Sequence, residues 1–440
     1  GSVQQPLSIL ENVYSVLPGQ ALTFADGQIT AQNYWQLPTE TENPFTDEAQ
    51  ITEKLSELLL EATRLRLVSD VPVGLFLSGG IDSSALVSLM RRATTGTIKS
   101  FSVAFEQDEF NESVYAERIA RQFHTEHQRV TVSESELLAK LPRALAALDQ
   151  PTIDGFNTYL ISEAVAANGL KVALSGAGGD EVFAGYQFFQ NITQNERWRQ
   201  RVKSVPASLR YAAAATVGAF SGSHRTQKLS ALLRSQHLND HSVQLQRRLF
   251  TREQQQRLFT ANGYAADLHQ RDSAQLLTWE QLQQETGATK DVINQASRLE
   301  LHGYLSNTLL RDTDAMSMAH SLEVRVPLLD HHLVEFMLRV PGNLKVRAGE
   351  PKRLLVNAVG DLPREIVNRP KRGFELPFKH WLRHELRTEI EREFNETSLH
   401  RVIQLPALTA VWRDFLAEKL SWSRVWSLYV LSRWYSLNLA

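Results

Sequence analysis

The residues with the clearest chemical use lie at 78–84, where Ser-Gly-Gly-Ile-Asp-Ser-Ser follows a short apolar run and precedes a helical one. Gly79 and Gly80 let the backbone approach a ligand closely, a helix start supplies unpaired N–H groups, and Ser78, Ser83 and Ser84 add hydroxyls. This is chemistry for a phosphate-sized anion. Asp82 in the same loop would repel a bare phosphate, so the segment makes sense with a divalent cation between carboxylate and phosphate. The loop has no lysine of the Walker type. The plain alternative, a Gly-Gly turn capping a helix, leaves seven positions of consistent chemistry without a use.

Other groups admit blander readings. Glu323 and Arg325 suit either the placing of a charged substrate or a structural ion pair. Lys352 has the charge to reach a phosphate, but the expectation for it is an exposed surface lysine. His331 and His332 are adjacent and do not share a helix face, and His124 and His127 lack a partner pattern for metal ligation. Neither His-Glu-x-x-His nor Gly-x-Ser-x-Gly occurs. The chain has no cysteine, which excludes disulfides, thiolate metal sites, iron–sulfur clusters and a cysteine nucleophile within it.

These groups need elements to position them. Turn signals at Leu17-Pro18-Gly19 and Asp26-Gly27 predict short strands over residues 6–40. A helix is predicted from Thr46, with Ile51, Leu55, Leu58, Leu59, Ala62, Leu65 and Val68 at helical spacing. An alternation follows: strand 71–77, helix 83–92, strand 98–105, helix 111–123, strand 128–132, helices 137–148 and 158–167, and strand 170–174. Such alternation predicts an α/β fold, a mostly parallel sheet with helices on both faces. From about Asn191 strand signals fade and a largely helical half is expected. Trp422, Trp426, Val430 and Trp434 recur every four residues, a stripe that reads as core packing of an amphipathic helix and less as a stacking surface for bases.

The 440 residues suit two or three domains, and 42% hydrophobic with 22% charged residues is a globular composition. Lys and Arg number 47 against 49 Asp and Glu, a formal charge of −2, which offers no overall field for nucleic acid or an anionic membrane. The longest apolar run, Tyr211–Phe220, is well short of the roughly 18 residues that span a bilayer. The opening Gly1-Ser2 reads as a cloning remnant, no signal-peptide pattern follows it, and the cytoplasm is the expected compartment.

Taken with its neighbours, the 78–84 loop resembles the pyrophosphate-binding loop of PP-loop ATP pyrophosphatases, and nearly the whole chain is similar to the synthetase domain of class B asparagine synthetases. The resemblance is carried by Ser100-Phe101-Ser102-Val103-Ala104-Phe105 with Phe110-Asn111-Glu112-Ser113, by Ser175-Gly176-Ala177-Gly178-Gly179-Asp180-Glu181 running into Gly185-Tyr186, and by Leu310-Arg311 to Glu323-Val324-Arg325-Val326-Pro327-Leu328-Leu329-Asp330. Arg369, Lys371, Gly373-Phe374 and Pro377 extend it. Tyr14, Leu17-Pro18-Gly19 and Tyr34-Trp35 are similar to the tail of the family's glutaminase domain. The implied organisation is a glutaminase remnant at 1–40 and a synthetase domain at 41–440, its nucleotide-binding α/β part at about 46–190 and its helical part at about 191–440.

The resemblance implies adenylation of a substrate carboxylate by ATP with Mg2+, release of pyrophosphate, and attack on the acyl-adenylate by ammonia. Ser78, Gly79, Gly80, Asp82, Ser83 and Ser84 would bind pyrophosphate, with Asp82 and Asp180 as metal ligands. Leu77, Val103, Ser175 and Gly176 match the adenosine pocket, Gly179, Glu181, Glu323 and Arg325 the substrate side. Lys371 matches the lysine that neutralises pyrophosphate and the tetrahedral oxyanion, unless it is one solvated residue of the basic run 369–372. Implied partners are a small-molecule or peptide carboxylate, ammonia or an amine donor, a glutaminase domain or subunit, and a second copy of the chain; nucleic acid and membrane are not expected.

Two departures qualify this. The family's glutaminase uses a cysteine that this chain lacks, so nitrogen would come from another domain, free ammonia or an amine. Ala177 stands where asparagine-forming members usually carry an acidic residue, and Ala315 where related sequences often have Arg. An amine nucleophile, as in β-lactam synthetases and lasso-peptide cyclases, is the alternative. A PP-loop tRNA-modifying enzyme is a further one, opposed by the charge of −2 and the absence of cysteine.

Overall fold

The computed structural model describes residues 1–38, 47–105, 113–220, 230, 233, 243, 247–250, 252–260, 290–369, 376–396 and 398–439. The hairpin comes first. Strands β1 (Gln20–Ala25) and β2 (Gln28–Asn33) pair antiparallel across Asp26-Gly27, whose φ values of 52° and 75° are those of the tight turn that matches strand twist.

Helix α1 (Glu48–Leu67) begins where the Asp47 carboxylate accepts from the Ala49 N–H and buries Ile51, Leu55, Leu59 and Ala62. Strands β3 (Val73–Phe76), β4 (Lys99–Phe105), β5 (Glu126–Val132) and β6 (Val172–Leu174) then alternate with α2 (Ile81–Ala93), α3 (Ser113–Gln122), α4 (Glu134–Ala146) and α5 (Phe156–Ala167). All pair in parallel, in the order β5-β4-β3-β6, with a fifth strand, residues Glu323–Arg325, outside β6. The fold is α/β, as the alternation predicts, with a largely helical second half.

Among the described residues the fading of strand signals after Asn191 has one exception. The fifth strand, β7 (Glu323–Arg325), lies in the helical half and pairs with β6 through Val172↔Glu323 to Leu174↔Arg325. Three residues with one apolar side chain, on a sheet edge, carry no periodicity to read. A π-helical turn at Leu301–Leu310 was equally silent in the pattern.

Two of the buried apolar clusters are extensive. One joins Leu55 of α1, Leu75 of β3, Leu86 of α2 and Leu174 of β6 to Leu328, Leu333 and Leu355. The other gathers Leu145 and Tyr159 with Trp381, Trp412, Trp426 and Trp434. The tryptophan stripe is therefore core: on the final helix, Trp422–Asn438, the Trp426 and Trp434 indoles donate to the carbonyls of Ile153 (3.2 Å) and Leu148 (2.9 Å). Among the described residues no helix is long and apolar enough to cross a membrane.

Candidate active site

Strands β3 and β6 are neighbours in the sheet although about a hundred residues separate them, and from them the chain winds outward in opposite directions. Their carboxyl ends form a switch point, the crevice where open α/β sheets bind ligands. Both glycine-rich loops emerge there.

The first extends the β3–β4 ladder by one bond, Leu77 N–H to Phe101 carbonyl (2.8 Å), and then turns at Gly79, φ 70°. A side chain at Gly79 would meet the Ala116 nitrogen at 2.6 Å and Tyr115 Cβ at 2.7 Å, so the loop lies directly on α3. Ser78 and Ser83 hydroxyls are 3.1 Å apart, Ser83 donates to the Gly80 carbonyl (3.2 Å), and Gly80 N–H donates to Ser78 (3.3 Å). Ser84 is buried, its hydroxyl without a hydrogen-bond partner among the described residues.

The second loop, after β6, opens α6 (Gly179–Val182) at Gly178, φ 90°. Its glycines give clearance to the first loop. A Cβ on Gly176 would sit 2.8 Å from that of Asp82, and one on Gly179 would overlap the Asp82 carboxylate. Asp82 and Asp180 are thus brought face to face.

Between them stands Lys352. Its ammonium is 2.7 Å from Asp180 Oδ1 and also pairs with Asp82, and its side chain is only 5% exposed. This corrects the surface-lysine expectation: the residue is buried because two carboxylates from distant loops meet on it. Burial opposes its charge, but the two carboxylates prevail and hold it above the ordinary lysine value. Two carboxylate groups converging on one cation also fit a divalent ion.

Lys371 lies outside the described residues, as do Phe110, Asn111, Glu112, Gly373 and Phe374. Arg369 is described, and its guanidinium lies 4.6 Å from the centre of the Tyr115 ring. Tyr115 is the residue beneath Gly79, so the chain two residues before Lys371 is one aromatic ring away from the first loop.

Leu77 is buried beside the first loop and Val103 half-buried on β4. Ser175 Oγ accepts from Ala177 N–H (3.3 Å), within the second loop. Glu323 and Arg325 pair with each other at 2.6 Å, and Arg325 also donates to the Arg66 and Val68 carbonyls at the end of α1 (2.9 and 2.7 Å). Their geometry is that of the structural ion pair. The two His127 ring nitrogens face Ser100 (2.9 Å) and Ser102 (3.1 Å), and burial lowers its pKa.

A second polar cluster lies behind Asp180; of its members the sequence points to Glu181 and Tyr186, which belong to the second glycine-rich motif, but not to Arg247, Glu300, Tyr304, Asp154 or Asp312. Glu181 is fully buried and accepts from the Tyr186 hydroxyl at 2.6 Å; burial pushes its carboxyl up to about 7. Arg247 clasps Glu300 and lies 4.6 and 3.9 Å from the centres of the Tyr186 and Tyr304 rings, and Tyr304 donates to Asp154 (2.9 Å). Asp312, close by, accepts from Thr152 (2.8 Å), and burial raises its carboxyl to about 8. Beyond Glu181 and Tyr186 no local pattern marks these residues, which come from separate stretches of chain.

The chain is similar in sequence to several known proteins. "Asparagine synthetase [glutamine-hydrolyzing] 1" of Bacillus subtilis is 28% identical over 445 residues, covering 99% of this chain and 67% of its own length. "Putative asparagine synthetase [glutamine-hydrolyzing] 2" of Methanocaldococcus jannaschii is 36% identical over 43% of this chain and 37% of its own. "Amidase chry2" of Gibberella zeae is 26% identical over 85% of this chain and 60% of its own. The chain spans about 54 to 67% of the length of the relatives that match most of it. The asparagine synthase family model matches residues 54–436, from within α1 to the last helix and through both loops and Lys352, and this chain belongs to that family.

Proposed function

We propose that the chain activates a substrate carboxylate with ATP as an acyl-adenylate, releases pyrophosphate, and passes the acyl group to ammonia or an amine. The observation that carries this is the meeting of Asp82 and Asp180 on one cation at the switch point of the sheet. A carboxylate is a poor electrophile, and AMP supplies the leaving group it needs. The N–H groups at the start of α2 and the hydroxyls of Ser78 and Ser83 take the departing pyrophosphate, while Leu77, Val103, Ser175 and Gly176 flank the adenosine. Asp82 and Asp180 would hold Mg2+, which when bound offsets the charge on pyrophosphate. Lys352 adds a second positive charge there, and Lys371 serves the oxyanion of the tetrahedral intermediate.

Ala177 weighs against aspartate as the carboxylate, since the usual acidic side chain is missing from the loop. With no cysteine in the chain, glutamine is used only through a glutaminase domain or subunit. The hairpin supports such a partner: the cross-strand neighbours Phe24 and Ile29, 74% and 70% exposed, share one face with the exposed Leu22, an apolar surface that a neighbouring domain would cover.

The test is product analysis with a panel of carboxylates and with ammonia, amines and glutamine offered in turn. AMP and pyrophosphate are expected, with no glutamate release from glutamine by this chain alone. ADP as main product would sink the proposal.

A further inference from the structure

Lys352 sits where the charge of a metal ion would sit. Its ammonium contacts both Asp82 and Asp180, and its backbone is held at φ 47°, ψ 40°, a left-handed conformation unusual for a lysine. Such strained positions persist where the surroundings enforce them, often at sites of function. Here the surroundings are specific. A Cβ at Gly185 would overlap both the Lys352 stem and the Asp180 carboxylate, so the chain is glycine where the lysine passes. A divalent ion such as Mg2+ needs oxygen ligands at about 2.0–2.1 Å, and the oxygens facing the ammonium cannot serve both cations at once.

We infer that Lys352 is a built-in counter-ion that keeps the divalent cation out until nucleotide arrives. Phosphate oxygens draw the ammonium off the carboxylates, and the pair then accepts the metal. The inference rests on the reading of Asp82 and Asp180 as the metal pair and adds an order to it: the cation enters with the nucleotide, not before. Lysine suits the part because its point charge rides on a flexible stem and can change partners, which a forked guanidinium does less readily.

The whole chain is titrated with Mn2+ in the absence of any phosphate compound, free Mn2+ being followed by electron paramagnetic resonance. Wild type should bind weakly, and Lys352→Met at least about tenfold more tightly, the scale of a typical coupling between two ligands. Lys352→Met combined with Asp82→Asn should lose that gain. Equal affinity of wild type and Lys352→Met would overturn the inference. If instead the double variant binds as tightly as Lys352→Met, the carboxylate pair is not the metal site and the wider reading fails with it. Should Lys352→Met not fold, wild type decides through thermal shifts. A non-hydrolysable ATP analogue with Mg2+ should raise the melting temperature while Mg2+ alone leaves it unchanged, and a full shift from Mg2+ alone would overturn the inference.

Discussion

Two buried charge clusters lie side by side in this molecule and are built in opposite ways. Asp82 and Asp180 stand in the first turns of the helices that follow β3 and β6, and Lys352 just before helix Arg353–Val359, with two carboxylates on one ammonium and glycines clearing the space around them. Glu300 and Arg247 are a one-to-one pair, the guanidinium clasped by both oxygens and set against the rings of Tyr186 and Tyr304. The first has more negative charge than its cation can neutralise and a cation that can leave. The second is balanced, one carboxylate on one guanidinium that two rings hold in place. Burial alone therefore does not separate a ligand site from a structural one; stoichiometry and the mobility of the cation do.

Mutation can break that contrast, most strongly at the first cluster. Asp82→Asn should lower the AMP-forming rate by on the order of a hundred- to a thousandfold, with a melting temperature unchanged or raised, because a like charge is removed from the pair. A normal rate would make the first cluster as structural as the second. Lys371→Ala should reduce the maximal rate by about a hundredfold with little change in ATP affinity, whereas Arg372→Ala should cost far less. Equal losses would return Lys371 to the solvated basic residues.

Arg247→Met should do the reverse. It strands the Glu300 carboxylate, which is 1% exposed, and should destabilise the fold by about 2–4 kcal/mol in chemical denaturation, somewhat below the usual figure for a buried pair because Arg247 is a third exposed. Its turnover per folded molecule should stay within a few-fold, and a large rate loss at full stability would erase the distinction.

Asp312→Asn sharpens the picture through pH. The folded protein holds the Asp312 proton up to about 8 while the unfolded chain releases it near the ordinary aspartate value of 3.8, so the aspartate costs stability increasingly as pH rises between those values. Melting curves of the variant and wild type should coincide near pH 4 and diverge upward from there, the variant being the more stable. Parallel curves would show that Asp312 ionises normally. The smallest effect is expected for Glu323→Ala, about 0.5 kcal/mol or less with no change in rate, since that carboxylate is mostly exposed and paired to Arg325. A raised Michaelis constant for the carboxylate would restore it to the substrate side.

What could be read in advance followed from local pattern. The alternation of apolar strands with amphipathic helices is a short-range signal, and it located β3 to β6 and the helices between them to within a few residues. The 78–84 loop was legible because glycine, serine and aspartate at adjacent positions make chemical sense without any tertiary knowledge. Lys352 was not, because its meaning depends on two carboxylates 270 and 172 positions upstream that only the sheet order brings together. The Arg247 cluster was hidden for the same reason. β7 was hidden for another: Glu-Val-Arg is a strand by virtue of its neighbour β6 and not by its own preferences.

The adjacency of β3 and β6 also has a consequence for how the protein is made. On the ribosome Asp82 appears first, Asp180 after the intervening strands and helices, and Lys352 some 170 residues later still. At about 5–20 residues per second the last interval lasts on the order of ten seconds or more. During that time the two loops have no Lys352 between them, and until residues 323–325 are made β6 lacks its outer neighbour β7. The nascent chain thus has an electrostatic reason to keep the crevice apart, and its edges open to chaperones, until the residue that joins the carboxylates has emerged.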